Sequence, residues 1–150
     1  GEAGVVRYGE GVFVGYRGYD ARGTEPLIPF GHGGSYTSFT WGEPTVSGSG
    51  TELTVTVPVT NTGDRPGSDV VQIYAAATEH VVPRPVKELA GFAKVTVNPG
   101  ETASATITLR ARAFARWDPG THAWTVDTGD YELLVAASAR DVRSILPVTI

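Results

Sequence analysis

The sequence predicts an all-β protein, an antiparallel sandwich of two sheets preceded by an irregular N-terminal arm. Three observations support this fold class. Apolar and polar residues alternate in several segments of strand length. Glycine, proline, asparagine and aspartate separate those segments at regular spacing, as in turn-rich β domains. The 150 residues are also enough to bury one hydrophobic core.

The first 42 residues lack this alternation, and we predict that they form a docking arm. They contain eleven of the nineteen glycines, which lose much backbone entropy on ordering. They also carry aliphatic and aromatic side chains that a flexible linker would lack. We therefore expect residues 1–42 to dock on another domain and residues 43–150 to form the sandwich. Without that domain, the arm should be poorly ordered or packed on a substitute surface.

Specific contacts are expected from the arm. Residues 11–15 are predicted to add a short strand to the sheet of the other domain. Glu10 and Arg17 have opposite charges and are predicted to pair at the domain interface. The full set of side chains expected to make the docking contact is Glu10, Tyr16, Arg17, Tyr19, Phe30, His32 and Tyr36.

The regular pattern begins at Thr37. Residues 37–41 are predicted to form a short strand and residues 43–50 a loop. The clearest strand follows, in which threonines alternate with apolar residues that should face the core: Leu53, Val55, Val57 and Val59. Because proline cannot donate a ladder hydrogen bond, Pro58 predicts an edge position or a bulge for this strand.

The remaining strands are predicted from the same alternation. They cover residues 69–77, 89–97, 103–109, 123–126, 131–137 and 144–150. Gly91 predicts a kink in the second of these strands, and residues 110–117 are expected to contain one helical turn. Turn-forming residues at 61–67, 98–101, 118–120 and 127–130 separate the strands.

Composition argues against several classes of function. A net charge of −4 gives no basic patch for nucleic acid, and no apolar run approaches the roughly 20 residues of a membrane span. There are no cysteines, and the three histidines lie far apart in sequence. We therefore expect no metal site and no cofactor.

Two further motifs leave alternatives open. Asp127-Thr128-Gly129 is the triplet of aspartic proteases, which requires two carboxylates and hence a homodimer here. The same residues are ordinary turn formers before a strand, which is the interpretation we favour. A second set of residues could stack sugars, although a place in the core or at an edge is favoured: Tyr74, Trp117, Trp124 and Tyr131.

A family resemblance rests on an ordered series of motifs. Residues 8–20 and 25–39 resemble the end of the second catalytic domain of family 3 glycoside hydrolases. The following motifs resemble the landmarks of the fibronectin type III-like domain that comes next in that family: residues 59–63, 70–74, 84–92, 98–101, 129–132 and 137–141. Gly34 and Ala139 depart from the pattern, which usually has an apolar residue and often a serine there.

The resemblance implies a non-catalytic C-terminal domain with an immunoglobulin or fibronectin type III-like fold. Its parent would be a retaining β-glucosidase or β-xylosidase, whose catalytic aspartate and glutamate belong to domains absent from this sequence. No catalytic residue is therefore assigned here, and Glu10 matches the linker motif instead. The expected partners are the catalytic domains of the same enzyme, and a homodimer contact is also allowed. The alternative function is that of a carbohydrate-binding module.

Overall fold

The computed structural model describes residues 3–150 and contains a two-sheet antiparallel sandwich. The first sheet contains β1 (Phe39–Trp41), β2 (Thr45–Ser49), β3 (Glu52–Asn61) and β6 (Thr102–Leu109). The second contains β4 (Gly67–Ala77), β5 (Glu88–Val97), β9 (Asp130–Ser138) and β10 (Asp141–Thr149), in the order β10-β9-β4-β5. A separate hairpin pairs β7 (Ala115–Asp118) with β8 (Ala123–Val126), and one 3-10 turn, Ala111–Ala113, precedes it.

The first sheet is organised around β3, which pairs with β6 on one side and with β1 and β2 on the other. The prediction that residues 43–50 form a loop is wrong, because Thr45–Ser49 is a strand. Gly48 and Gly50 have positive φ, which lets the chain turn from β2 directly into β3. Only Val46 of this strand is partly buried, so it lacks the apolar alternation that identified the other strands.

Pro58 occupies an internal strand whose pairing shows no register shift, so the predicted edge position or bulge is wrong. Its carbonyl accepts a hydrogen bond from the backbone N–H of Gly42 at 2.8 Å, on the side of β3 that faces β1 and β2. The pairing with β2 ends at Thr56, and the pairing with β1 begins at Val59. The nitrogen of Pro58 therefore faces the gap between the short strands β1 and β2. No strand pairs with β3 there, so the missing N–H costs no hydrogen bond of the sheet.

The second sheet follows the predicted alternation and the predicted irregularity. Its register shifts by one residue opposite Ile73 and Tyr74, directly beside Gly91. A Cβ at position 91 would lie 2.7 Å from Cγ2 of Ile107, so glycine permits β5 to approach the first sheet.

The hydrophobic core lies between the two sheets. The four apolar residues predicted for β3 are buried there, as are Val71, Ile73 and Ala75 of β4. Opposing residues from β6 and β9 complete the interior: Ala105, Ile107, Leu109, Tyr131, Leu133 and Val135. Phe114 packs edge-on against Tyr131, with ring centroids 5.5 Å apart, and closes one end of the core.

Asn61 fixes the place where the arm enters the sandwich. Its fully buried side chain accepts hydrogen bonds from Thr37 Oγ1 at 2.7 Å and from Gly63 N at 3.0 Å. It donates to the carbonyls of Arg65 and Val97, both at 2.9 Å. The first strand, β1, precedes the predicted boundary at residues 42 and 43, yet it is hydrogen-bonded into the first sheet.

No helix within residues 3–150 is long and apolar enough to cross a membrane.

Candidate functional site

The arm does not remain extended, and its centre lies on the outer face of the second sheet. Tyr16–Ala21 forms a short helix, α1, in a segment for which the sequence showed no helical period. Gly18 is the buried residue of this helix, and a side chain there would not fit, because a Cβ would lie 2.4 Å from the carbonyl oxygen of Phe13. Residues 11–15 form hydrogen-bonded turns here and no strand, so their pairing with the sheet of another domain stays a prediction.

Tyr16 connects the helix to the sheet. Its ring stacks on Phe30 with centroids 4.8 Å apart and meets the Tyr74 ring edge-on at 5.7 Å. Its hydroxyl oxygen accepts a hydrogen bond from the backbone N–H of Leu89 at 2.8 Å. Aromatic pairs at these distances add to the free energy of area burial. Tyr16 therefore joins two parts of the arm to two strands of the second sheet.

A second attachment joins the segment after Phe30 to β4 and β9. The Gln72 side chain donates hydrogen bonds to the carbonyls of Gly31 at 3.0 Å and Ala137 at 2.8 Å, and accepts one from Tyr74. The backbone N–H of Ala139 donates to the Phe30 carbonyl at 2.8 Å. Gly31 is required here, because its φ is +78° and a Cβ would lie 2.1 Å from Gln72 Oε1.

The third attachment is an ion-pair cluster at the end of α1. The Asp20 carboxylate pairs with Lys87 Nζ and, at 3.5 Å, with Arg140 Nε. Arg140 also donates to the Thr24 carbonyl at 2.9 Å. The side chains of Asp20 and Lys87 are both more than nine-tenths buried, so neither could lose its partner without leaving a desolvated charge.

Arg17 belongs to a longer chain of ion pairs, and the predicted pair with Glu10 is wrong. Its guanidinium lies 3.3 Å from Glu88, which also contacts Arg84 at 3.3 Å. Arg84 reaches Asp127 at 3.5 Å, and Asp127 pairs with Arg116 at 2.7 Å. The hydrogen bond that Arg116 donates to Asp127 raises the pKa of Arg116 above its ordinary value. The network ties the arm to the loop before β5 and to the β7–β8 hairpin.

Burial under the arm changes the electrostatics of two tyrosines. Desolvation by burial is the main reason that the pKa values of Tyr16 and Tyr74 are raised. The negative charge of Asp20 and the coupling between the two phenols raise the pKa of Tyr74 further. Both phenols are therefore held in the neutral, hydrogen-bonding form.

The predicted docking residues fall into two groups. Tyr16 and Arg17 contact the sandwich, whereas four side chains project to solvent: Glu10, Tyr19, His32 and Tyr36. Phe30 belongs to both groups, because it stacks on Tyr16 yet remains 47% exposed. Sequence reasoning missed Asp20, Gln72, Lys87 and Arg140. The available signals were the glutamine within the predicted strand 69–77 and the lysine just before the predicted strand 89–97.

The motifs of the rival functions are also located. Asp127 lies in the turn between β8 and β9, and its carboxylate pairs with Arg84 at 3.5 Å and with Arg116 at 2.7 Å. The aromatic set divides, with Tyr74 and Tyr131 buried and Trp117 and Trp124 about half exposed. Among residues 3–150 there is no group of three side chains arranged to hold a metal ion.

Comparisons with known proteins agree with this architecture. Residues 69–139 match the family described as the fibronectin type III-like domain. A β-glucosidase from Rhizobium radiobacter is 51% identical over 99% of the chain, which spans 18% of that protein. An exo-α-(1→6)-L-arabinopyranosidase from Bifidobacterium breve is 43% identical over the whole chain, which spans 20% of its length. The crystal structure of a family 3 β-glucosidase from Bifidobacterium adolescentis superposes with a TM-score of 0.94 and 43% identity, covering all of this chain and 22% of that one.

The sandwich topology of the chain and these matches define its class: its residues 69–139 belong to the fibronectin type III-like family of domains. Within that class, it is the non-catalytic domain of the kind carried by family 3 glycoside hydrolases of the β-glucosidase type. The chain spans about a fifth of the length of these relatives.

Proposed function

We propose that this chain is the C-terminal buttress of a family 3 glycoside hydrolase, held against the catalytic domains by its N-terminal arm. The main observation in support of this proposal is that the arm has two apolar faces. One contains Tyr16 and packs on the second sheet. The other is exposed, and ten of the eighteen exposed large hydrophobic side chains within residues 3–150 lie before residue 37.

The segment between Thr24 and Phe30 shows this second face most clearly. Leu27 is 99% exposed and Ile28 is 68% exposed, and Pro26 and Pro29 flank the pair. The prolines restrict the backbone, so little conformational entropy would be lost when a partner covers these side chains. Contiguous exposed apolar side chains of this size usually mark an interface. We infer that this segment, together with Tyr19, Phe30, His32 and Tyr36, contacts the partner, with Glu10 at the rim.

The occupant of this face is proposed to be the catalytic part of the same polypeptide. The Rhizobium radiobacter relative matches 99% of the chain, so the arm and the sandwich occur together within a much longer protein. Because β1 is part of the first sheet, the docking segment ends before Phe39, earlier than the boundary after residue 42. The docked arm would then be clamped between the sandwich and the catalytic domains.

The parent activity is proposed to be retaining hydrolysis of a terminal β-linked sugar. The relatives carry the names β-glucosidase and arabinopyranosidase, so domains of this kind accompany different sugar specificities. A buttress without catalytic residues is consistent with that variety. We therefore expect the purified chain to leave aryl β-glucosides intact, and turnover by a sample free of host β-glucosidase would contradict the proposal.

The docking role is tested by placing charge on the exposed face. Leu27→Asp in the whole enzyme should lower the temperature at which hydrolysis is lost, with kcat/KM unchanged at low temperature. In the isolated chain, the same substitution should change the free energy of unfolding by less than about 0.5 kcal/mol. Val81→Asp is the matched control, because Val81 is 76% exposed and lies outside the arm.

Two results would contradict the docking role. The first is equal destabilisation of the isolated chain by Leu27→Asp, which would show that this side chain packs on its own sandwich. The second is an unchanged inactivation temperature of the whole enzyme. Sedimentation of the isolated chain addresses the other occupant, since a stable homodimer dissociated by Leu27→Asp would assign the face to a second copy.

A further inference from the structure

A groove of about 410 Å³ lies beside the β7–β8 hairpin, and Leu27 is not among its lining residues. We call it the tryptophan groove. Trp117 and Trp124 line it from the hairpin, Pro83 and Pro85 from the loop before β5, and Val12 from the arm. Small-molecule sites are concave, largely apolar and furnished with a few placed polar groups, and the groove has this form.

The two tryptophans form an exposed aromatic corner. They are direct cross-strand partners, with ring centroids 5.5 Å apart and planes at 70°. Trp117 is 48% exposed and Trp124 is 52% exposed. The hydrophobic core between the two sheets includes neither ring. Their exposed surface is therefore available to a ligand with an apolar face.

Arg112 supplies the polar counterpart of this corner. Its guanidinium carbon lies 3.2 Å from the centroid of the Trp124 ring. Among residues 3–150 it makes no salt bridge, unlike the other arginines of the groove. A guanidinium stacked on an aromatic ring keeps its N–H edge in a fixed plane, and this edge matches a carboxylate in two parallel hydrogen bonds.

The charges around the groove favour an anion. Three arginines of the ion-pair network, Arg17, Arg84 and Arg116, share the two carboxylates of Glu88 and Asp127. Arg112 adds a fourth guanidinium, so these four arginines exceed the two carboxylates by two, and by one when Asp118, whose charge also acts on Arg116, is counted. The whole chain has a net charge of −4, so this surface differs in sign from the average of the molecule.

We propose that the tryptophan groove binds an acidic oligosaccharide, in which a pyranose unit carries a carboxylate. The C–H face of the pyranose ring would lie on the exposed tryptophan surface, and the carboxylate would bind the edge of Arg112. Ring hydroxyls would bond to Arg116 and Glu88, whose positions are held by their ion pairs. The groove shares Val12 and Arg17 with the arm, but the residues proposed to hold the sugar, Trp117, Trp124 and Arg112, lie outside the arm.

Calorimetry of the 150-residue chain at low salt tests the site. We expect saturable binding of α-1,4-linked tetragalacturonate and binding of neutral cellotetraose that is at least about tenfold weaker. Trp124→Ala and Arg112→Gln should each weaken the binding of tetragalacturonate at least about tenfold. Tyr36→Ala and Arg65→Gln are the matched controls, because both residues are exposed outside the groove, and both should bind as the wild type does.

Several outcomes would overturn the proposal. They are the absence of saturable heat, equal affinity for cellotetraose, and unchanged binding by both Trp124→Ala and Arg112→Gln. Equally tight binding of tetraglutamate would show a general anion surface rather than a sugar site. Circular dichroism checks the fold of each variant, and if Trp124→Ala does not fold, the exposed Arg112→Gln decides the outcome.

Discussion

The interior between the two sheets and the outer face of the second sheet are both buried, but by different kinds of sequence. The interior is filled by alternating aliphatic residues of four strands, which need no specific partner atoms. The outer face is covered by a glycine-rich segment that contributes one aromatic stack, a few hydrogen bonds and ion pairs. The interior therefore depends on volume and the outer face on particular contacts, so substitutions in the two regions should behave differently.

The largest effect is expected in the interior. Leu133 is fully buried between the sheets, so Leu133→Ala should lower the free energy of unfolding by about 3 kcal/mol through lost burial and a residual cavity. Urea denaturation measures this change. Since the arm lies on the opposite face, the same loss is expected in a variant that begins at Thr37. A loss that depends on the arm would show that the two regions are not independent.

Gly31→Ala should disrupt the contact between the arm and the outer face of the second sheet, and should leave the packing of the interior unchanged. The new methyl group would clash with Gln72 and occupy a positive φ, so we expect a loss of about 2 kcal/mol. Hydrogen exchange of the Ala139 amide, which donates to Phe30, should accelerate, whereas the amides of β3 should stay protected.

Gly33→Ala is the matched control for that substitution. A Cβ at position 33 has no neighbour within 4 Å and no positive φ opposes it. Its free energy of unfolding should change by less than about 0.5 kcal/mol. Equal effects of the two substitutions would show that the contact between Gly31 and Gln72 does not hold the arm.

The contribution of the outer face to the free energy of unfolding should decrease at alkaline pH. The folded-state pKa of Tyr74 is raised, so its contribution to stability is present below pH 10 and is lost as the pH rises above that value. Tyr74→Phe should cost about 1 kcal/mol at pH 7, because it removes the hydrogen bond to Gln72. Between pH 9 and pH 11, its stability should fall less steeply than that of the wild type.

Urea denaturation at each pH measures this difference. Tyr36→Phe is the control, because Tyr36 is 95% exposed, and its stability should follow the wild-type pH dependence. Parallel pH profiles for Tyr74→Phe and the wild type would contradict the proposed role of burial at this position.

The smallest effect is expected at the edge of the outer face. Arg17 and Glu88 are each 31% exposed in their side chains, so solvent screens their attraction. Arg17→Gln should cost about 0.5 kcal/mol, and the difference from the wild type should disappear in 1 M salt. Arg65→Gln, at a more exposed pair with Asp64, should cost less. A cost above about 2 kcal/mol would indicate that the arm depends mainly on this pair.

Regular strands were predictable because their pattern is local. The alternation from Leu53 to Val59 gave the strand and its buried face, and Gly91 marked the register shift. The strand Thr45–Ser49 was not predicted, because it is mostly exposed and its sequence has no apolar alternation that would indicate its pairing with β3. The sequence shows that Pro58 lacks a backbone N–H, which predicted an edge strand. It does not show the gap between β1 and β2 that accommodates this proline in an internal strand.

The outer face was less predictable because its partners are distant in sequence. Tyr16 and Arg17 were predicted to contact another domain, but within this chain Tyr16 reaches Leu89, and Arg17 pairs with Glu88 instead of the nearby Glu10. Ile73 faces the interior, so its neighbours Gln72 and Tyr74 lie on the outer face of the second sheet. Their burial could not be predicted from the sequence, because it depends on the position of the arm.

By itself, the sequence determined the sandwich, the inner faces of its main strands and the family of the domain, since alternation, turn residues and ordered motifs are local properties. Only the tertiary structure decided that the arm is two-sided. Whether a glycine-rich segment packs depends on the surface that it meets, and that surface is assembled from β4, β5 and β9. The exposed positions of Leu27, Trp117 and Trp124 followed from the same assembly, because burial is decided by neighbours that no local pattern contains.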